Sequence, residues 1–174
     1  LNLVLYDAGL GVFTDPFATR LQQYYREHLP GTSTAPTWGK LFGGTAGSRG
    51  RLTRLKDADL IITTERGLRS ALRDYEQGLS ALAWRFLCDT HGHALMLPSG
   101  KKGVISFDSQ TITKPGASWE GQLRSEYLAW PASSTLDRLG FDEALLAIAA
   151  ALIGSGSTLQ QAMYVALAGA MLQS

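Results

Sequence analysis

Residues 58–97 read ADLIITTERGLRSALRDYEQGLSALAWRFLCDTHGHALML, and this stretch decides the fold. ADLIIT, residues 58–63, is a short apolar run that reads as a strand buried on both faces. Two helical patterns follow, one over about 65–74 and one over 78–88, where Leu79, Leu82, Ala83, Phe86 and Leu87 fall on one face. ALML, residues 94–97, is extended again. Strand, helices, strand is the repeat of an α/β protein, whose parallel strands are joined by helices that cover the sheet.

The same alternation extends in both directions. Upstream, LNLVLYD (1–7) is an apolar strand that ends at Asp7, Ala8 and Gly9. A helix then starts at Asp15 and Pro16, a cap followed by proline at the first helical position, and runs through Phe17, Leu21, Tyr24, Tyr25 and Leu29 to the stop at Pro30 and Gly31. Residues 31–50 are rich in Gly, Ser, Thr and Pro, which predicts a flexible loop with at most a short strand near 40–46. Downstream, VISF (104–107) pairs with ALML through PSGKKG as a hairpin. Another extended piece is expected at 111–114, a loop over 115–134, and two Ala- and Gly-rich helices over 142–153 and 158–172, joined by GSGS.

Composition narrows the function. The 174 residues are 45% hydrophobic and 18% charged, and they read as one domain spanning 1–174 with material for a sizeable core. Sixteen Lys and Arg against fifteen Asp and Glu leave a net charge of +1, which gives no electrostatic reason to expect nucleic acid as a partner. No run approaches the roughly 18 apolar residues of a membrane span. One cysteine, Cys88, sits in an apolar helix and reads as a small core residue; together these features suit a cytoplasmic setting.

Several familiar motifs fail. GGTAGSRG (43–50) lacks the Lys-Ser/Thr pair of a phosphate loop, and His91 and His93 have no companions at zinc-ligand spacing, so no metal site is expected from side-chain spacing. No Gly-x-Ser-x-Gly elbow is present. Tyr24, Tyr25 and Trp84 read as core residues on amphipathic helices. What remains is DRLGFDEALLA (137–147), a glycine turn before a long apolar helix that opens with Asp142 and Glu143. A helix start offers free N–H groups and positive potential to a phosphoryl group, and an acid there could take a proton from a hydroxyl. Equally, Asp142 and Glu143 could simply complement the helix dipole.

These residues carry a resemblance. DRLGFDEALLA followed by GSGSTLQQAMYVALAGAML resembles the end of the PfkB or ribokinase-like carbohydrate kinases, where Asp-x-x-Gly-Ala-Gly-Asp-Ala opens the catalytic helix. YDAGLGVF is similar to a strand end of heptose-phosphate-type sugar kinases, ADLIITTERGLRSAL to the segment holding Asn-x-x-Glu, and LMLPSGKKGVISF to the hairpin beside the nucleotide. The resemblance implies a three-layer α/β/α fold with a largely parallel sheet, lacking the family's N-terminal sugar-binding and lid portion. It also implies phosphoryl transfer from Mg-ATP to a sugar hydroxyl, with Gly140, Phe141, Gly100, Lys101 and Gly103 on the nucleotide side. The catalytic position falls on Glu143, or on Asp142 if one residue is gapped.

The departures from the pattern bear on chemistry. Phe141 stands for the family's Ala, Asp142 for its second Gly and Glu143 for its Asp; Thr64 stands for Asn and Gly67 for the metal-placing Glu, for which Glu65 and Glu27 are the candidate substitutes. Pro98 replaces Thr in the hairpin. Asp142 adds negative charge where phosphate must approach, and Glu143 is a methylene longer than Asp, a displacement that can cost on the order of a hundredfold in rate. The expectation is a degenerate kinase-like domain that serves as a binding or assembly module, with a protein partner or a second copy of itself. The alternative is the nucleotide-binding portion of an ATP-dependent sugar kinase, which meets sugar only with an upstream half.

Overall fold

The structure, a computed structural model, describes residues 3–7, 14–28, 41–45, 52–109, 119–129 and 140–172. Six strands form one sheet in chain order: β1 (Leu3–Asp7), β2 (Leu41–Thr45), β3 (Leu60–Thr63), β4 (Ala94–Pro98), β5 (Gly103–Ser109) and β6 (Leu123–Ala129). β1 to β4 are parallel, and the hairpin turns β5 antiparallel to β4 and β6 antiparallel to β5. The helices are α1 (Asp15–His28), α2 (Glu65–Leu72), α3 (Leu79–Thr90), α4 (Phe141–Gly154) and α5 (Leu159–Met171). No helix among the described residues is long and apolar enough to cross a membrane.

Strand alternation sorts the core into two layers, because successive side chains leave opposite faces of the sheet. Phe42, Leu60, Ile62, Met96 and Val104 pack under α4 and α5. Ile61, Leu95, Leu97 and Phe107 pack under α2 and α3, against Leu68, Leu82, Phe86 and Leu87. The result is the expected three-layer α/β/α arrangement around a largely parallel sheet.

Local chemistry fixes the helix ends. The Thr64 hydroxyl accepts from Gly67 N–H at 3.1 Å to start α2, and α3 ends at His91, whose backbone is left-handed. α5 opens with a reciprocal capping box between Thr158 and Gln161. At α1 the cap lies one residue earlier than the sequence pattern placed it: Thr14 Oγ1 accepts from Phe17 N–H at 3.4 Å.

One strand follows a weak sequence signal and one departs from the sequence reading. β2 falls where a short strand near 40–46 was the most the sequence allowed, between β1 and β3; the rest of the 31–50 segment falls outside the described residues. Its glycines are there for packing: a Cβ on Gly43 would stand 2.4 Å from Leu55 Cδ1, and one on Gly44 would meet Tyr6, Leu146 and the Ile62 carbonyl at 3.0–3.2 Å. β6 replaces part of the loop expected over 115–134. It is an edge strand with alternating exposure, and its charged residues Arg124 and Glu126 masked the strand pattern. The extended piece expected at 111–114 lies outside the described residues. Trp84 is buried as expected, whereas Tyr24 is 60% exposed on α1.

Candidate functional site

The C-terminal ends of β1, β2 and β3 lie side by side, with Asp7, Thr45 and Thr63 in register. Open α/β sheets bind ligands beyond this edge. Asp7 is 1% exposed and Thr63 is also 1% exposed, so the edge presents buried polar groups to whatever sits above them. α4 begins here, since its first turn acts on Tyr6, the residue before Asp7.

The start of α4 is built on Gly140, whose backbone is left-handed at φ 81°, a conformation that suits glycine. As the N-cap residue Gly140 has no side chain with which to cap the helix, and its C=O accepts the first helical bond, from Ala144 N–H at 2.9 Å. The Phe141 side chain is 5% exposed and belongs to the core beneath the helix, which makes it an anchor for the turn. Asp142 is half-buried and Glu143 is exposed.

Tyr6 reports the electrostatics of the place. Burial, and then the carboxylates of Asp142, Glu143 and Asp7, push its phenol well above the ordinary range. Glu143 lies close enough to act on the hydroxyl, but no hydrogen bond of ordinary geometry reaches this buried oxygen. Among the described residues, three carboxylates therefore act on a neutral tyrosine. Asp142 and Glu143 were legible in the sequence; Tyr6 and Asp7 were not singled out, although the strand end YDAG pointed to them.

The other sequence-derived residues stand apart. Gly100 and Gly103 sit in the β4–β5 hairpin at the same edge of the sheet, three to four strand spacings or roughly 14–19 Å from β1. Both are left-handed in φ, at 59° and 117°. Gly103 has a packing reason to be glycine, because a Cβ there would stand 2.0 Å from the Leu128 carbonyl oxygen. Lys101 lies in the short 3-10 turn between them.

A magnesium ion, which the kinase resemblance implies, finds a poor donor set here. Glu65 pairs with Arg69 at 2.9 Å, and Gly67, at the position of the metal-placing Glu, is buried in the first turn of α2. Among the described residues no three His, Cys, Asp or Glu side chains converge to hold a metal ion. Glu27 lies on α1, and its side chain is outside the described residues. Cys88 is half-buried with its thiol pushed up by burial and by Asp89, the state of an inert thiol.

The arrangement of sheet and helices matches the ribokinase-like α/β/α layout. Among solved structures the chain is similar to phosphofructokinase-2 from Escherichia coli in complex with fructose-6-phosphate, with a TM-score of 0.68 and 9% identity over 95% of this chain and 48% of that one. It is also similar to ribokinase from Thermotoga maritima, with a TM-score of 0.62 and 11% identity over 98% and 48% of the two chains. A third is adenosine kinase from Schistosoma mansoni in complex with adenosine and AMP, with a TM-score of 0.60 and 12% identity over 96% and 48%. The chain spans about half the length of these proteins. No family model and no curated protein matches the sequence.

Proposed function

We propose that the chain is a carbohydrate-kinase-fold domain impaired in phosphoryl transfer, which serves as a binding or assembly module for a protein partner or a second copy of itself. The observation that carries this reading is the start of α4, where the charged groups that act on Tyr6 are all carboxylates. Phosphoryl transfer needs positive potential where charge develops on the transferring group, and this environment supplies the opposite sign. A single, inert cysteine supports a cytoplasmic setting.

The second reading is the nucleotide-binding portion of an ATP-dependent sugar kinase, with Glu143 or Asp142 as base and Mg-ATP held between Gly140 and the hairpin. The α4 terminus, left-handed at Gly140, whose lack of a side chain leaves the backbone open to close approach, favours it. The YDAGLGVF resemblance points within this reading to a heptose-phosphate-like substrate.

Calorimetric titration with Mg-ATP separates the two. On the first reading the unmodified chain shows no binding, and Asp142→Gly, which removes a charge at the helix start, gains measurable affinity. Binding by the unmodified chain together with phosphoryl transfer to a sugar overturns the first reading in favour of the second.

A further inference from the structure

From Ala144 to Ser174 the sequence contains no Asp, Glu, Lys, Arg or His, although 18% of the whole chain is charged. That stretch holds nearly all of α4 and the whole of α5, the two helices that cover one face of the sheet. A helix laid over a sheet buries one stripe and ordinarily carries charge on the other. The opposite layer does so, with Glu65 and Arg66 exposed on α2 and Asp89 on α3. On α5 the inward stripe is Ala162, Met163, Ala166 and Leu167, and the outward one is Tyr164, Val165, Ala168 and Leu172, which share a single helix face. Ala147 and Ala151 are the exposed apolar residues of α4.

The outward stripe is large as well as uncharged. Tyr164 is 51% exposed, Val165 52% and Leu172 89%. With the alanines and the partly covered aliphatic side chains between the helices, the apolar surface is roughly 600 Å², the top of the range for the largest patch on an ordinary monomer. Two such faces brought together bury about 1,200 Å², where specific interfaces begin. The platform is also preformed. Backbone hydrogen bonds close the turn between the helices, and α5 lies so close to α4 that a Cβ on Gly169 would stand 2.6 Å from Ile148 Cδ1. A face that is rigid before contact loses little freedom on binding.

The chemistry of the face selects its occupant. It has no charge with which to attract an acidic or basic surface, and none of the Lys or Arg by which a helix settles on anionic lipid. A two-fold contact sets a patch against its own copy, so a charge near the axis would meet its like, and a face without charge is free of that conflict. We propose that the outward face of α4 and α5 is a homodimer interface, packed against the same face of a second copy of this chain. The inference rests on the assembly reading given above, to which it adds the face and the partner.

The test is sedimentation velocity from about 1 to about 100 μM, where a reversible species of twice the chain's mass is expected. Added salt at about 1 M should leave it intact, because buried apolar surface is not screened. Val165→Lys and Ala168→Glu, each confirmed as folded by circular dichroism, should each weaken dimerisation by about a hundredfold or more, since each buries an unpaired charge. Tyr75→Lys, which changes an exposed tyrosine between α2 and α3, should leave the dimer unchanged. A chain still monomeric at the highest concentration, a dimer dispersed by salt, open-ended association, or a dimer that both charged variants retain overturns the proposal. Titration with Mg-ATP on the same samples separates this result from the reading beneath it. A monomer that binds no Mg-ATP overturns the dimer alone, whereas a dimer that binds Mg-ATP and phosphorylates a sugar keeps the interface and overturns the reading of impaired transfer.

Discussion

The Leu128 carbonyl oxygen stands 2.0 Å from the place a Cβ on Gly103 would occupy, so the β5–β6 pairing itself requires glycine at the head of the hairpin. The backbone of Gly103, at φ 117°, adds a second reason. Gly103→Ala should therefore destabilise the fold by more than about 3 kcal/mol, since backbone cannot yield as a side chain would. Urea unfolding checks this, and a loss below about 1 kcal/mol would show that β6 can step aside.

Tyr6 carries a buried hydroxyl with no hydrogen bond. Tyr6→Phe removes an unsatisfied polar group without changing shape, so stability should hold or rise by up to about 1 kcal/mol. The raised phenol pKa means that Tyr6 stays neutral through the whole physiological range. Ultraviolet titration should find one tyrosine ionising later than the others, and Tyr6→Phe should delete that late step.

Asp108 has a folded pKa above its unfolded one, so folding takes up a proton in that interval. Its contribution to stability is fully present below the unfolded pKa of about 4 and is lost as pH rises through the folded value. Asp108→Asn should therefore be the more stable protein at pH 7, by less than about 1 kcal/mol given solvent screening. The difference should vanish in acid; a variant equally destabilised at every pH would show that the carboxylate has a structural bond to lose.

Gly44 lies between Tyr6, Leu146 and the Ile62 carbonyl. Gly44→Val should cost about 2–3 kcal/mol or more through overpacking of the sheet against α4. Thermal unfolding measures it, and Gly78→Ala, where nothing lies within 4 Å of a new Cβ, is the matched control.

These glycines also explain how far the sequence could be read. Strands β3, β4 and β5 and all five helices were visible because burial on both faces produces unbroken apolar runs, while helices covering a sheet keep a periodic stripe; β1 was visible through its apolar run Leu3–Tyr6, although it is an edge strand with Val4 43% exposed. β2 was only weakly legible because Gly43 and Gly44, which let Leu55 and Leu146 approach the strand closely, carry the signature of a turn. β6 was obscured because an edge strand keeps charged groups on view, with only Leu123 and Leu128 turned toward the core. At the candidate site, Asp142 and Glu143 stood out as acids in a first helical turn. Tyr6 and Asp7 did not, because their part depends on where α4 lands, a contact between residues more than 130 positions apart.

The strands pair in the order in which they are made, yet one face of the sheet is closed only by the last two helices. During synthesis Phe42, Leu60, Ile62 and Met96 must wait, wet and sticky, until α4 and α5 leave the ribosome, while the other face is already sealed by α2 and α3. The protein thus carries its aggregation hazard in the nascent chain, and a stop codon anywhere before α4 would yield a polypeptide that chaperones must hold and proteases clear.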